Sequence, residues 1–214
     1  RKTNIIYCPP FPFIHPLINL LRNSRIDVGA QNCDTHKDYG PFTGQINPKI
    51  LKRLGCRYVI LGHSETRLIG DSDKIINLKI KSSIKEKLKV IFCIGETLSQ
   101  KKKKITNVIL RKQIINGLKN IKNFQKIIIA YEPVWSIGSG VIPKTNELEN
   151  SIKNIRSIIK KKFGKKNIKI LYGGSVSQHN IKQLKNIKSI NGFLIGGASL
   201  NYKKFIDIIK KANK

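Results

Sequence analysis

The sequence contains no methionine and only one tryptophan, and its 12 acidic residues are far fewer than its 42 lysines and arginines. Lysines interrupt every apolar run, so none reaches the roughly 20 residues that a membrane-spanning helix needs. The cysteines are scattered, with no C-x-x-C pair and no histidine at zinc-finger spacing, which argues against a disulfide framework or a structural metal site. We therefore expect a soluble, cytoplasmic protein with no membrane association and no metal site.

The formal net charge of +30 would by itself suggest nucleic acid as a partner. However, the lysines are spread over every predicted helix, and the short runs at 101–104 and 160–162 are not interleaved with the aromatic residues that stack on bases. Isoleucine, asparagine and lysine are all abundant, as codon usage in an A+T-rich genome would favour. We interpret the lysines as solvated helix faces and expect no nucleic-acid partner.

Apolar runs alternate with lysine-rich amphipathic stretches along the whole chain, without a linker rich in Pro, Gly or Ser. Most runs are continuous in Ile, Val and Leu, which is typical of strands buried on both faces of a parallel sheet. The predicted strands are 4–8, 27–31, 58–62, 89–95, 126–131, 168–172 and 191–195. The predicted helices are 73–88, 105–118, 146–163 and 202–211, with shorter ones at 13–22, 48–54 and 177–184.

This succession of strands and helices fits either an open doubly wound sheet or a closed β/α barrel. An open sheet binds its ligand at one switch point, whereas here glycine-rich or polar residues follow nearly every strand, as the rim of a barrel requires. We predict a single barrel domain over residues 1–214. Seven β/α units can be counted where a closed barrel has eight, so one unit is expected to be missing.

A carboxylate in the middle of the chain is the first candidate catalytic group. Glu132 ends the apolar run Ile127–Ala130 and precedes Pro133, which disfavours helix and fits the extended end of a strand. A carboxylate at the end of such a run would be buried without obvious purpose unless it serves as a base. The loop from Pro133 to Pro143 contains two glycines, which predicts a closing lid.

Three glycine clusters follow apolar runs, at 138–140, 173–174 and 196–197. Their bare backbone N–H groups make a phosphate the natural ligand. Glycine is needed there because a side chain would keep the backbone N–H groups away from the phosphate. Each cluster alone could be an ordinary strand-to-helix turn, so the prediction depends on all three.

Five segments follow one another along the chain: YVILGHSE at 58–65, CIGETL at 93–98, AYEPVW at 130–135, YGGSV at 172–176 and GFLIGGASL at 192–200. In this order they resemble the triosephosphate isomerase family, from the family's second strand to its last helix. The resemblance implies a TIM (β/α)8 barrel of which seven units are present and the first is missing. It also implies interconversion of dihydroxyacetone phosphate and glyceraldehyde 3-phosphate through an enediolate, in glycolysis and gluconeogenesis, without a cofactor.

The resemblance assigns roles to individual residues. Glu132 would be the base, and His63 would act as a neutral ring, facing the positive end of a helix, that donates a hydrogen bond to the substrate carbonyl. The phosphate would be bound by Gly138, Ser175, Gly196 and Gly197. Supporting positions would be Cys93, packed beneath the base, and two carboxylates that hold neighbouring loops, Glu65 and Glu96. Thr43 lies in a segment that resembles the family's interdigitating loop, which implies a homodimer.

The sequence also departs from the family pattern. Nothing precedes the second strand, whereas the family's first strand carries an asparagine and a lysine that bind substrate. We therefore expect a fragment that lacks about 35 upstream residues, judged from the usual barrel size, and little or no activity from residues 1–214 alone. Smaller departures are Gln45, Asn191, the lid residues Ser136 and Ser139, and the second hinge at 141–143.

Two other functions fit parts of the sequence. Another barrel enzyme acting on sugar phosphates would share the glycine clusters but would need an acid and base elsewhere or a Schiff-base lysine, and no predicted strand ends in such a lysine. A basic nucleic-acid-binding protein on a disabled barrel would explain the charge but not the presence of Glu132, His63 and the lid.

Overall fold

The structure is a computed structural model that describes residues 3–36, 38–164 and 167–213. The chain divides into two compact units. The first, here called the N-terminal unit, comprises Thr3–Phe92 and Asn116–Ile128. The second, the C-terminal unit, comprises Cys93–Ile115 and the described part of Ile129–Lys214.

The described residues contain seven strands, as the sequence predicts. They are Ile5–Tyr7 (β1), Ile26–Ala30 (β2), Tyr58–Leu61 (β3), Lys89–Ile94 (β4), Ile127–Tyr131 (β5), Lys169–Tyr172 (β6) and Gly192–Phe193 (β7). The α-helices are Ile14–Leu20 (α1), Pro48–Leu54 (α2), Ser64–Leu68 (α3), Asp73–Lys85 (α4), Leu98–Lys102 (α5), Thr106–Gly117 (α6), Thr145–Phe163 (α7), Ile181–Lys185 (α8) and Tyr202–Asn213 (α9). Among the described helices, none is both long enough and apolar enough to cross a membrane.

In the N-terminal unit the strands pair in parallel and in chain order. Ile5 is level with Ile26, Gly29 with Tyr58, and Tyr58 with Lys89. Strand β3 is buried along its whole length, which explains its continuous apolar run. A Cβ on Gly29 would lie 2.8 Å from Cys8 Sγ and 3.1 Å from the carbonyl oxygen of Tyr58, so a larger residue there would crowd both neighbours.

In the C-terminal unit the end of β4 lies beside β5, and β5 lies beside β6. The backbone N–H of Glu132 donates to Ile94 O at 2.8 Å, and that of Gly173 donates to Tyr131 O at 2.9 Å. Strands β6 and β7 are parallel, with Tyr172 level with Phe193. The segments that follow β4, β5 and β6 are therefore neighbours at one edge of this unit.

Four helices, α2 to α5, have a side-chain cap at their N-terminus. Helix α2 begins at Asn47, whose side chain accepts from the N–H of Ile50, and ends at Gly55 with φ of 109°. Two predicted boundaries are wrong by three residues or more. The helix predicted from 177 begins only at Ile181, because the Asn180 side chain caps Ser177 N–H and 178–180 form a turn. Helix α4 stops at Lys85, before Lys87 adopts a positive φ of 63°.

Candidate active site

Glu132 directly follows β5 in the C-terminal unit and is only 2 % exposed. Two glycines from neighbouring strand ends make room for it. A Cβ on Gly95 would overlap the carbonyl oxygen of Glu132, and one on Gly173 would lie 2.7 Å from its Cγ. Gly95 therefore leaves room for the Glu132 backbone and Gly173 for its side chain, a requirement that becomes visible only once the strands are paired.

Glu96 is a second buried carboxylate of this unit and holds the backbone that follows Glu132. Its Oε1 accepts a hydrogen bond from Trp135 Nε1 at 2.9 Å, and its Oε2 accepts one from the Tyr131 hydroxyl at 3.2 Å. Its carbonyl oxygen also accepts from the N–H of Val134. Burial raises the pKa of the Glu96 carboxyl, while the Trp135 hydrogen bond opposes that shift.

The indole of Trp135 is also fixed from its face. Lys101 Nζ lies 3.6 Å from the centroid of the Trp135 ring and 3.2 Å from Glu147 Oε2. A cation over an indole ring is attracted by the ring quadrupole, most strongly for tryptophan. The turn Val134–Ser136 that leaves Glu132 is therefore held at both the edge and the face of its largest side chain.

The predicted lid contacts the segment that follows β6. The N–H of Gly140 donates to Ser175 Oγ at 2.9 Å, and Ser175 Oγ donates to the carbonyl of Ser136 at 2.7 Å. Gly138 is exposed near the middle of this segment and has φ of 67°, a conformation in which glycine is favoured. Gly138, Ser175 and Glu132 thus belong to one hydrogen-bonded part of the C-terminal unit.

The third glycine cluster lies close to the end of β6. Leu194 N–H donates to Tyr172 O at 2.9 Å, and Gly196 and Gly197 follow two residues later at the start of the short 3-10 helix Gly197–Leu200. Both glycines are exposed, and a Cβ on either would meet open space within the chain. Their backbone is therefore accessible from outside.

His63 follows β3 in the N-terminal unit and caps helix α3. The N–H of Glu65 donates to His63 Nδ1 at 3.3 Å, so in the neutral ring the proton lies on Nε2. Burial lowers the pKa of His63, and the nearby Glu65 carboxylate opposes that shift. The positive end of the helix likewise disfavours the imidazolium form. The Glu65 side chain is largely exposed, and its Oε2 lies 3.7 Å from His63 Nδ1.

A buried ion pair ties together the segments that follow β2 and β3. Lys79 of α4 donates to both carboxylate oxygens of Asp71 at 2.8 Å and to Asn32 Oδ1 at 3.2 Å. The interpretation of the lysines as solvated helix faces is wrong for Lys79, because only 8 % of its side chain is exposed. This pair was not apparent from the sequence, since a lysine in a lysine-rich helix carries no mark of its orientation.

The two ends of the loop that contains Thr43 are joined by a backbone hydrogen bond. Asp34 N–H donates to Ile46 O at 2.9 Å, and the His36 ring stacks on Phe42 with centroids 3.3 Å apart. Thr43 itself is exposed. Cys93, on β4 of the other unit, is fully buried.

Comparisons with known proteins show which family this chain resembles. The family model for triosephosphate isomerase matches residues 1–212. The triosephosphate isomerase of Thermodesulfovibrio yellowstonii is 44 % identical over 205 residues, covering 94 % of this chain and 83 % of that protein. The corresponding protein of Carboxydothermus hydrogenoformans is 40 % identical over 213 residues, covering 97 % and 84 %.

A solved structure gives the same result for the fold. The crystal structure of triosephosphate isomerase from Bartonella henselae aligns with a TM-score of 0.92 at 33 % identity, covering 100 % of this chain and 88 % of that one. The predicted TIM-barrel architecture is thereby confirmed, and the isomerase is favoured over both alternative functions. The chain belongs to the triosephosphate isomerase family.

Proposed function

We propose that the protein interconverts dihydroxyacetone phosphate and glyceraldehyde 3-phosphate with Glu132 as the base. The carboxylate removes a proton from the carbon beside the carbonyl, and the released electron pair forms the double bond of an enediolate. Return of a proton to the neighbouring carbon gives the isomer, so hydrogen is only redistributed and no oxidant is required. The observation that carries this proposal is the family match over residues 1–212, within which Glu132 is a buried carboxylate at a strand end.

His63 is the proposed electrophile. With Nδ1 accepting from the N–H of Glu65, the neutral ring carries its proton on Nε2, and this N–H would donate to the oxygen on which charge develops. A lowered pKa favours the neutral ring over the imidazolium ion near pH 7.

The substrate phosphate is the proposed ligand of backbone N–H groups at Gly138, Ser175, Gly196 and Gly197. The exposure of the three glycines supports this assignment, because the backbone there is open to a ligand. Closure of the lid would exclude water from the enediolate and limit loss of phosphate from it.

The remaining assignments concern support and assembly. Glu96 would fix the turn after the base through Trp135, Glu65 would tune His63, and Cys93 would pack beneath the base as a small apolar residue. The barrel would form one domain and a cytoplasmic homodimer, with the exposed Thr43 reaching the active site of the second copy.

Steady-state assays in both directions test this function on the product of the complete reading frame. Glu132→Gln should lower kcat by about 10²–10⁴-fold, the usual contribution of a general base, without loss of the folded circular dichroism spectrum. Glu149→Gln, on α7, is the matched control and should leave kcat unchanged. Activity of Glu132→Gln within about tenfold of the parent protein would overturn the role of this carboxylate.

A further inference from the structure

The hydroxyl of Ser136 is enclosed between the lid and the segment that follows β6. Ser136 ends the 3-10 turn Val134–Ser136 and has no exposed surface. Its Oγ donates to Val141 O at 2.6 Å, across the lid, and lies 3.0 Å from the hydroxyl oxygen of Tyr172 at the end of β6. One small side chain therefore contacts both ends of the lid turn and the neighbouring strand.

The hydrogen atoms of this cluster can be assigned from its donors and acceptors. Ser136 has a single hydroxyl hydrogen, which the short contact with Val141 O uses. Tyr172 must therefore be the donor in its contact with Ser136 Oγ, and the N–H of Ser175 donates to the same oxygen at 3.3 Å. The Ser136 hydroxyl thus gives one hydrogen bond and accepts two, which fills its capacity.

The backbone around the hydroxyl reinforces the same contact. Ser175 Oγ donates to the carbonyl of Ser136, and it accepts from the N–H of Gly140. Gly174 makes the approach possible, because a Cβ there would lie 2.6 Å from Ser136 Oγ and would overlap the Tyr172 hydroxyl. Both sides of the contact therefore accommodate a hydroxyl at position 136.

We propose that Ser136 is a latch, a positioning residue whose hydroxyl holds the lid segment 136–141 against Tyr172 and Ser175. The catalytic part of this inference rests on the proposed function. With the latch in place, Ser136 and Gly140, on either side of Gly138, are held against Ser175, and the turn that leaves Glu132 is fixed. Without it, the lid opens more readily and the enediolate loses phosphate to solvent more often.

Ser136→Ala, Tyr172→Phe and the double variant test the latch. Hydrogen–deuterium exchange of the Ile137, Gly140 and Val141 amides, each hydrogen-bonded in this structure, should speed up about tenfold in either single variant. The double variant should exchange no faster than Ser136→Ala alone, because that change already removes the contact with Tyr172. Ser99→Ala, on the exposed face of α5, is the control and should leave lid exchange unchanged.

Catalysis supplies the second readout. Ser136→Ala should lower kcat/KM about tenfold and raise the share of turnovers that end in inorganic phosphate, a shift that a general loss of stability would not produce. Unchanged lid exchange in Ser136→Ala, or additive effects in the double variant, would overturn the latch. If Ser136→Ala does not fold, Tyr172→Phe alone must speed lid exchange, and its failure to do so would be equally decisive. The exchange measurement needs no substrate, so an inactive protein with the expected exchange would refute the isomerase function and not the latch.

Discussion

Replacement of Asp71 by asparagine should lower the free energy of unfolding by about 3–5 kcal/mol, the usual cost of removing one partner from a buried ion pair. Asp71 and Lys79 have 10 % and 8 % of their side chains exposed, and Lys79 Nζ lies 2.8 Å from both carboxylate oxygens. In Asp71→Asn the ammonium group keeps polar neighbours such as Asn32 but loses its opposing charge. For a chain of this length the loss corresponds to a fall in Tm of about 10 °C.

Urea unfolding followed by the fluorescence of Trp135, the only tryptophan, measures this loss directly. Asp207→Asn provides the control, because its partner Lys211 is four residues away on α9 and their side chains are 42 % and 30 % exposed. That change should cost about 0.5 kcal/mol.

The double variant Asp71→Asn, Lys79→Met separates the charge effect from packing. Removing the ammonium as well should recover most of the lost stability, because a buried pair replaced by uncharged groups is often nearly neutral. A cost below about 1 kcal/mol for Asp71→Asn, or a double variant no more stable than the single, would refute the assignment of a buried ion pair.

Three further predictions concern single groups. The His63 ring should titrate in NMR spectra with a midpoint below the ordinary histidine pKa of about 6.5. The contribution of the neutral His63 ring to stability is complete above about pH 6.5 and is lost as the pH falls towards the lowered native pKa. A midpoint at or above about 6.5 would contradict the capping geometry. Burial raises the pKa of Cys33 to about 12 and that of Cys56 to about 11. At pH 8 both thiols should therefore react with a disulfide reagent about 10²–10³-fold more slowly than in the unfolded chain. Rapid labelling of either thiol in the native protein, detected by mass spectrometry, would disprove their burial. Asn191→Asp should raise the free energy of unfolding by about 0.5–1 kcal/mol, because the Asn191 Oδ1 that accepts from Arg156 at 2.9 Å would become a charged acceptor. A Tm below that of the parent protein would show that the site requires a neutral side chain.

The strands could be predicted from the sequence because most of them lie in continuous apolar runs, and burial on both faces of a parallel sheet favours such a run. The ends of the helices are harder to predict, because local side-chain hydrogen bonds decide them. Asn180 illustrates this, because its side chain caps Ser177 N–H and delays helix α8 until Ile181. The number of strands and their order along the chain nevertheless follow from the pattern of apolar runs alone.

Tertiary contacts could not be predicted in the same way. Ser136 and Tyr172 are 36 residues apart, and no spacing rule connects a lid serine with a strand-end tyrosine. Lys79 is another example, since its burial depends on which face of α4 packs against the sheet rather than on residue type. The room that Gly95 and Gly173 leave for Glu132 likewise appears only when β4, β5 and β6 are adjacent.

The origin of the transferred proton tests the proposed chemistry most directly. Dihydroxyacetone phosphate should be converted in D₂O by the product of the complete reading frame, and the glyceraldehyde 3-phosphate trapped early and analysed by NMR. Proton abstraction by Glu132 predicts deuterium at the carbon next to the aldehyde, formed much more slowly by Glu132→Gln. Isomerisation and labelling as fast in Glu132→Gln as in the parent protein would contradict it.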